Sequence, residues 1–185
     1  LATAMIRGGF EYQGQKCSAA SRCYIPKSIW DETKKILIEK ISTIKMGDVE
    51  DFTNFINAVI DESSFDNIVS YIEYAKKSSE AEILCGGSYS KEKGYFIEPT
   101  IILTDNPNFK TMEEEIFGPV LTVYLYDLDW KNVCELVDST SDYALTGAVM
   151  SKNPEATKIA SKILVNSAGN FYINDKPTGA VVGQQ

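Results

Sequence analysis

Three observations predict an α/β fold with a largely parallel sheet flanked by helices. Short β-branched and aromatic runs alternate with segments of helical periodicity along the whole chain. Apolar residues make up 44% of the sequence, enough for a packed core. No stretch is polar or long enough to act as a linker, so the 185 residues read as one domain.

The elements follow in chain order. The spacing predicts a helix over 28–43, where Ser28 with Asp31 resembles a capping box. Ile29, Ile36, Leu37, Ile41 and Ile44 recur near helical spacing there, and Lys45-Met46-Gly47-Asp48 ends it. A second helix is predicted over 63–77, because Phe65, Ile68, Val69, Ile72 and Ala75 form one apolar stripe. Residues 81–84 read as a short strand ending at Gly86-Gly87. Residues 95–103 are β-like at both ends, with Pro99 implying an edge or a bulge. Residues 120–126 are β-branched and aromatic, which suits a buried strand. A short helix over 131–137 and a strand over 145–150 follow. Asn153-Pro154 opens a helix running to 164, with proline in its first turn, and 170–174 is a last strand.

Composition narrows the function. Lys plus Arg number 18 against 26 Asp plus Glu, a net charge of −8, which argues against wrapping nucleic acid. The chain has no histidine, so it cannot hold a Ser-His-Asp triad, a Cys-His pair or a His-ligated metal. Its four cysteines, Cys17, Cys23, Cys85 and Cys134, form no C-x-x-C pair, so neither a zinc site nor a disulfide scaffold is expected. Reduced thiols in an intracellular protein are the simpler expectation. No apolar run is long enough to span a membrane. Residues 1–7 carry neither an initiator Met nor a signal-like pattern, and 179–185 end without a cap. Both ends are therefore expected to be cut from a longer chain.

Three segments are candidates for chemistry. In the first, Gly14-Gln15-Lys16-Cys17 leads into the small residues 18–21, which would let a helix begin at or just after Cys17. A thiol there would sit at the positive end of a helix dipole, beside N–H groups able to hold an oxyanion. On these features alone, a small cysteine in a Gly-bounded turn remains the more ordinary explanation. The second segment, Thr111 to Pro119, sets three carboxylates before Ile116 and Phe117. A carboxylate is the usual partner of ribose hydroxyls, and Phe117 could cover a flat ring. A solvated acidic loop is the alternative. The third segment, Asn170 to Ala180, is a strand end followed by a Pro- and Gly-containing loop. The N–H groups around Thr178-Gly179-Ala180 could cradle a carboxylate, or the segment is an ordinary surface turn.

Together these segments resemble the catalytic domain of the NAD(P)-dependent aldehyde dehydrogenases. Gly14-Gln15-Lys16-Cys17 and Glu114-Glu115-Ile116-Phe117-Gly118-Pro119 stand in that family's order and spacing. Segments 10–19, 94–99, 137–140 and 168–176 are similar to members that oxidise glutamate γ-semialdehyde to glutamate in proline breakdown. The resemblance implies NAD as cofactor, a small aldehyde as substrate, no metal, and a homo-oligomeric parent. It implies Cys17 as the nucleophile that passes through a thiohemiacetal and a thioester, with its own N–H as half of the oxyanion hole. It implies Glu115 and Phe117 as cofactor-binding residues. It implies Ser18, Gly179 and Ala180 as anchors of the substrate's carboxylate, with Ala180 standing where some members carry Ser. It further implies that 1–185 is the thiol-bearing domain, with the NAD-binding domain, the general-base Glu and the second oxyanion donor lying elsewhere. Such enzymes are mitochondrial in eukaryotes and cytoplasmic in bacteria. A different aldehyde on the same scaffold, or a non-catalytic folding or interaction domain, are the competing expectations.

Overall fold

Nine residues at the start of the chain, Ala2–Phe10, form a helix (α1) that the sequence pattern does not announce. Gly8 and Gly9 lie inside it, where glycine costs helix stability. Both are buried because other chain segments approach them: a Cβ at Gly8 would lie 3.2 Å from Pro177, and one at Gly9 3.4 Å from the Ala20 carbonyl oxygen. Packing thus overrides propensity. The computed structural model describes residues 1–127 and 129–178.

After α1 come strand β1 (Arg22–Pro26), helices α2 (Trp30–Ser42) and α3 (Glu62–Lys77), and strands β2 (Ala81–Cys85), β3 (Tyr89–Ser90), β4 (Phe96–Ile97) and β5 (Thr100–Thr104). The rest is α4 (Lys110–Glu113), β6 (Val120–Tyr126), α5 (Trp130–Ser139), β7 (Thr146–Val149), α6 (Pro154–Ile163) and β8 (Asn170–Ile173). The main sheet has the order β1-β6-β5-β2. β1–β6 and β6–β5 are parallel, and only the edge strand β2 runs antiparallel. β7 and β8 form a separate parallel pair, and β3 and β4 a small antiparallel one. The expected largely parallel α/β fold is therefore the observed one.

β6 is the middle strand, and its residues alternate between two cores. Val120 joins α3, Phe109 and Met112 on one face, while Leu121 and Val123 join α1 and α2 on the other. A strand covered on both faces reads as a continuous apolar run, which is why 120–126 was recognisable. Thr122 is the polar exception, and its hydroxyl donates to buried Thr111 Oγ1 at 2.7 Å. A third, smaller cluster joins Cys134 of α5 to Ala160 and Leu164 near α6.

Two local expectations need correction. Ser28 caps nothing: Lys27–Ile29 is a 3-10 turn, and Ile29 occupies the N-cap of α2 with no side-chain bond. The buried stripe of α2 is Trp30, Thr33 and Leu37, whereas Ile29 and Ile36 are exposed. The α3 stripe agrees with its residues, and Asp61 caps that helix by accepting from the Ser64 N–H. The expected helix start at Asn153-Pro154 also forms, with Asn153 as the cap of α6. Pro99, expected at an edge or a bulge, instead lies between β4 and the interior strand β5.

Leu121 is fully buried and packs beneath Gly9 of α1. Leu121→Ala should therefore cost about 2–5 kcal/mol, read as a lower urea midpoint with an unchanged slope.

Candidate active site

α1 ends at Phe10, and the chain then reverses through an unusual run. Tyr12, Gln13 and Gly14 are all left-handed, with φ of 56°, 58° and 67°. For Tyr12 and Gln13 this costs about 1–2 kcal/mol each, so surrounding contacts must hold them. The Gln13 amide donates to the Ala58 carbonyl at 3.3 Å, and Gln15 Oε1 accepts the Ile60 N–H at 2.8 Å. The two glutamines thus tie the reversal to the segment before α3.

A turn follows over 16–19, closed by the Ala19 N–H on the Lys16 carbonyl at 3.0 Å. Cys17 lies in this turn and is exposed. No helix begins at or just after it, since 18–21 are non-helical and β1 follows, which corrects the expectation of a thiol at a helix N-terminus. Two bonds instead lead 18–21 as a turn and extended link into β1. The Ala20 N–H donates to the Gly8 carbonyl, and the Ser21 carbonyl accepts from Thr122 of β6. The small residues serve close packing of the turn on α1. The N–H group of Cys17 has no acceptor among the described residues, so it is available to a developing oxyanion.

The three candidate segments converge on one cleft of about 1060 Å³, lined by Cys17, Glu115, Phe117 and Pro177. A Cβ at Gly14 would overlap the Gly118 carbonyl oxygen, so the nucleophile turn and the acidic loop meet backbone to backbone. Pro177 reaches Gly8 from the third segment. The acidic run divides by role. Glu114 accepts from Tyr71 at 2.7 Å, and burial first and then this carboxylate push the Tyr71 phenol up to about 12, keeping it the donor. Arg22 of β1 donates to the Met112 carbonyl at 3.3 Å, fastening the start of the loop. Glu115 is exposed to the cleft and carries no ion pair or hydrogen bond among the described residues. Phe117 is left-handed, φ 58°, and 42% exposed, turning its ring to the same cleft.

Ser18 is half-buried, and its carbonyl accepts from Thr146 at 3.2 Å; among the described residues it is not one that lines the cleft. Gly179 and Ala180 lie outside the described residues. Sequence reasoning missed Glu11. Its carboxylate is 14% exposed and takes Arg7, Lys16 and Lys176, the last 165 positions away. No local periodicity signals such a pairing. Burial acts to raise the Glu11 pKa, but bonds from Arg7, Lys16 and Lys176 outweigh it and hold the group below its ordinary value of 4.5.

The other thiols are set apart by burial. It pushes Cys23 up to about 12 and raises Cys85 and Cys134 as well. Such thiols give up their proton less readily; Cys23 and Cys85 are half-buried and Cys134 is buried, whereas Cys17 is exposed. Among the described residues no group of His, Cys, Asp or Glu could hold a metal.

Residues 1–185 match the sequence profile described as "Aldehyde dehydrogenase family", and the chain belongs to that family. It is 56% identical over 181 residues to the mitochondrial delta-1-pyrroline-5-carboxylate dehydrogenase of Dictyostelium discoideum, covering 97% of this chain and 32% of that protein. The human enzyme of the same name is 50% identical, with coverage of 100% and 33%. The crystal structure of the Mycobacterium tuberculosis delta-pyrroline-5-carboxylate dehydrogenase bound with NAD superposes with a TM-score of 0.92 at 44% identity, covering 100% of this chain and 33% of that one. The chain thus spans about a third of the length of the relatives it matches.

Four outcomes are expected. Gly14→Ala should destabilise the protein by about 2–4 kcal/mol in urea unfolding, because its φ and its contact with Gly118 both exclude a side chain. Gly9→Ala, whose methyl finds ordinary contacts in a helix, should stay within about 1 kcal/mol. Iodoacetamide at about pH 8 should label Cys17 first, as read by peptide mass spectrometry. Because the Glu11 pKa is depressed, its stabilisation is present above the ordinary value of 4.5 and lost as pH falls through the folded value. The stability difference between the native protein and Glu11→Gln should accordingly be largest near neutral pH and shrink in acid.

Proposed function

We propose that this chain is the thiol-bearing domain of an NAD-dependent dehydrogenase that oxidises L-glutamate γ-semialdehyde, the open form of delta-1-pyrroline-5-carboxylate, to L-glutamate in proline catabolism. The observation that carries this reading is the meeting of Cys17, Glu115 and Phe117 on one cleft.

Cys17, as thiolate, adds to the aldehyde carbon to give a thiohemiacetal. The Cys17 N–H receives part of the negative charge that develops on oxygen. NAD, when bound, supplies the hydride acceptor. Glu115 and Phe117 fit its ribose and ring: one is a carboxylate with no partner among the described residues, able to accept two hydroxyl bonds, the other an exposed aromatic face on the same wall. Loss of a hydride and a proton leaves a thioester on Cys17, which water hydrolyses to release glutamate and restore the thiol. Ser18, Gly179 and Ala180 are the proposed anchors of the substrate's α-carboxylate. The dinucleotide domain, the general-base Glu and the second oxyanion donor are assigned to parts of the protein outside these residues. The names of the eukaryotic relatives favour the mitochondrial matrix for a eukaryotic source, and a bacterial one would keep the enzyme in the cytoplasm. A homo-oligomer is the proposed assembly.

In the complete protein, Cys17→Ala should abolish NADH formation while NAD still binds; retained turnover would overturn the assignment. Glu115→Gln should raise the KM for NAD about tenfold, an effect of about 1.4 kcal/mol. If short alkyl aldehydes gave a higher kcat/KM than glutamate γ-semialdehyde, the assigned substrate would be wrong.

A further inference from the structure

Glu11 is nearly buried at the point where α1 ends, and no step proposed above uses it. One of its oxygens takes Arg7 of α1. The other is shared by two ammonium groups, Lys16 Nζ at 3.2 Å and Lys176 Nζ at 3.3 Å. Lys16 immediately precedes Cys17. Lys176 continues into the last described segment, where its Nζ also donates to the Thr178 carbonyl at 2.9 Å and to Thr178 Oγ1 at 2.7 Å. A single carboxylate oxygen therefore lies between the residue before the nucleophile and the residues leading into the carboxylate-anchor loop.

We infer that Glu11 is a positioning residue that sets the distance between the nucleophile turn and the loop beginning at Lys176, and so matches the site to an aldehyde that also carries a carboxylate. This deepens the proposed function and rests on it. The physical argument is one of shared constraint. Two ammonium groups this close repel each other unless a charge lies between them, so without Glu11 the turn and the loop would move apart. Partial burial makes the pairing stronger than an exposed surface bridge. An aldehyde held at both ends depends on that separation, because small misplacement of a bound substrate costs rate steeply. An aldehyde held only at its carbonyl depends on the turn alone. Lys16 is also removed from any direct role as a free cation beside the thiol, since its charge is directed to Glu11.

The test uses the complete enzyme with Glu11→Gln, Glu11→Asp and Lys176→Met. Glu11→Gln should lower kcat/KM for glutamate γ-semialdehyde about tenfold or more, mostly through KM, while kcat/KM for propanal changes less than about threefold. Glu11→Asp should recover part of the lost selectivity. Equal losses for both aldehydes, or no loss for either, would overturn the inference. A second readout stands apart from turnover. Lys176→Met should speed amide hydrogen exchange across 15–18, which it does not adjoin in sequence, and unchanged exchange there would overturn the coupling. If the native enzyme itself favoured propanal while the exchange coupling held, the substrate assignment would fail and the Glu11 link would stand as a link between the two loops.

Discussion

The contact of Gly14 with the Gly118 carbonyl leaves no room for a side chain, and the candidate site depends on it. The contact exists because three successive residues, Tyr12 to Gly14, turn the chain left-handed straight after a helix. Two of the three are not glycine, so the reversal stores strain that the Gln13 and Gln15 bonds offset. Without the reversal, α1 would run on and carry Cys17 away from the acidic loop. With it, the thiol lies in an exposed turn, and the Cys17 N–H has no acceptor among the described residues.

The remainder of the fold fixes what that turn meets. β6 sits between β1 and β5, so Arg22 at the start of β1 and Val120 at the start of β6 lie at the same end of the sheet. The turn runs into β1 and the acidic loop runs into β6, so both arrive at that end together. Parallel neighbours bring the segments that precede them to one side in this way, here the amino ends of the strands rather than the carboxyl ends at which ligands usually bind in open α/β sheets. Within the acidic loop, Tyr71 and Lys110 engage Glu114, and Glu115 is left to face the cleft. Pro177 and Lys176 close the third side through Gly8 and Glu11.

Much of this was legible in the sequence where the signal was local. The α3 stripe, the Asn153-Pro154 helix start and the buried run of β6 each carry their cause within a few residues. The motif around Cys17 and that around Glu115 could be paired because their order and spacing resemble a known family. What escaped was set by distant partners. Gly8 and Gly9 weaken helix propensity within α1, and their causes, Pro177, Ala20 and Leu121, are distant in sequence. The small residues after Cys17 suit a helix start equally well, and only pairing of β1 with β6 decides otherwise. The Glu11 pairing joins residues that are 165 positions apart, so no window of sequence contains it.

The central claim is that Cys17 carries the substrate covalently. Acid quenching of the complete enzyme during turnover of glutamate γ-semialdehyde with NAD, followed by peptide mass spectrometry, tests it directly. The account predicts a glutamyl thioester on the peptide containing Cys17 and on no other cysteine. An acyl group found on Cys23, Cys85 or Cys134, or turnover with Cys17 unmodified throughout, would contradict it.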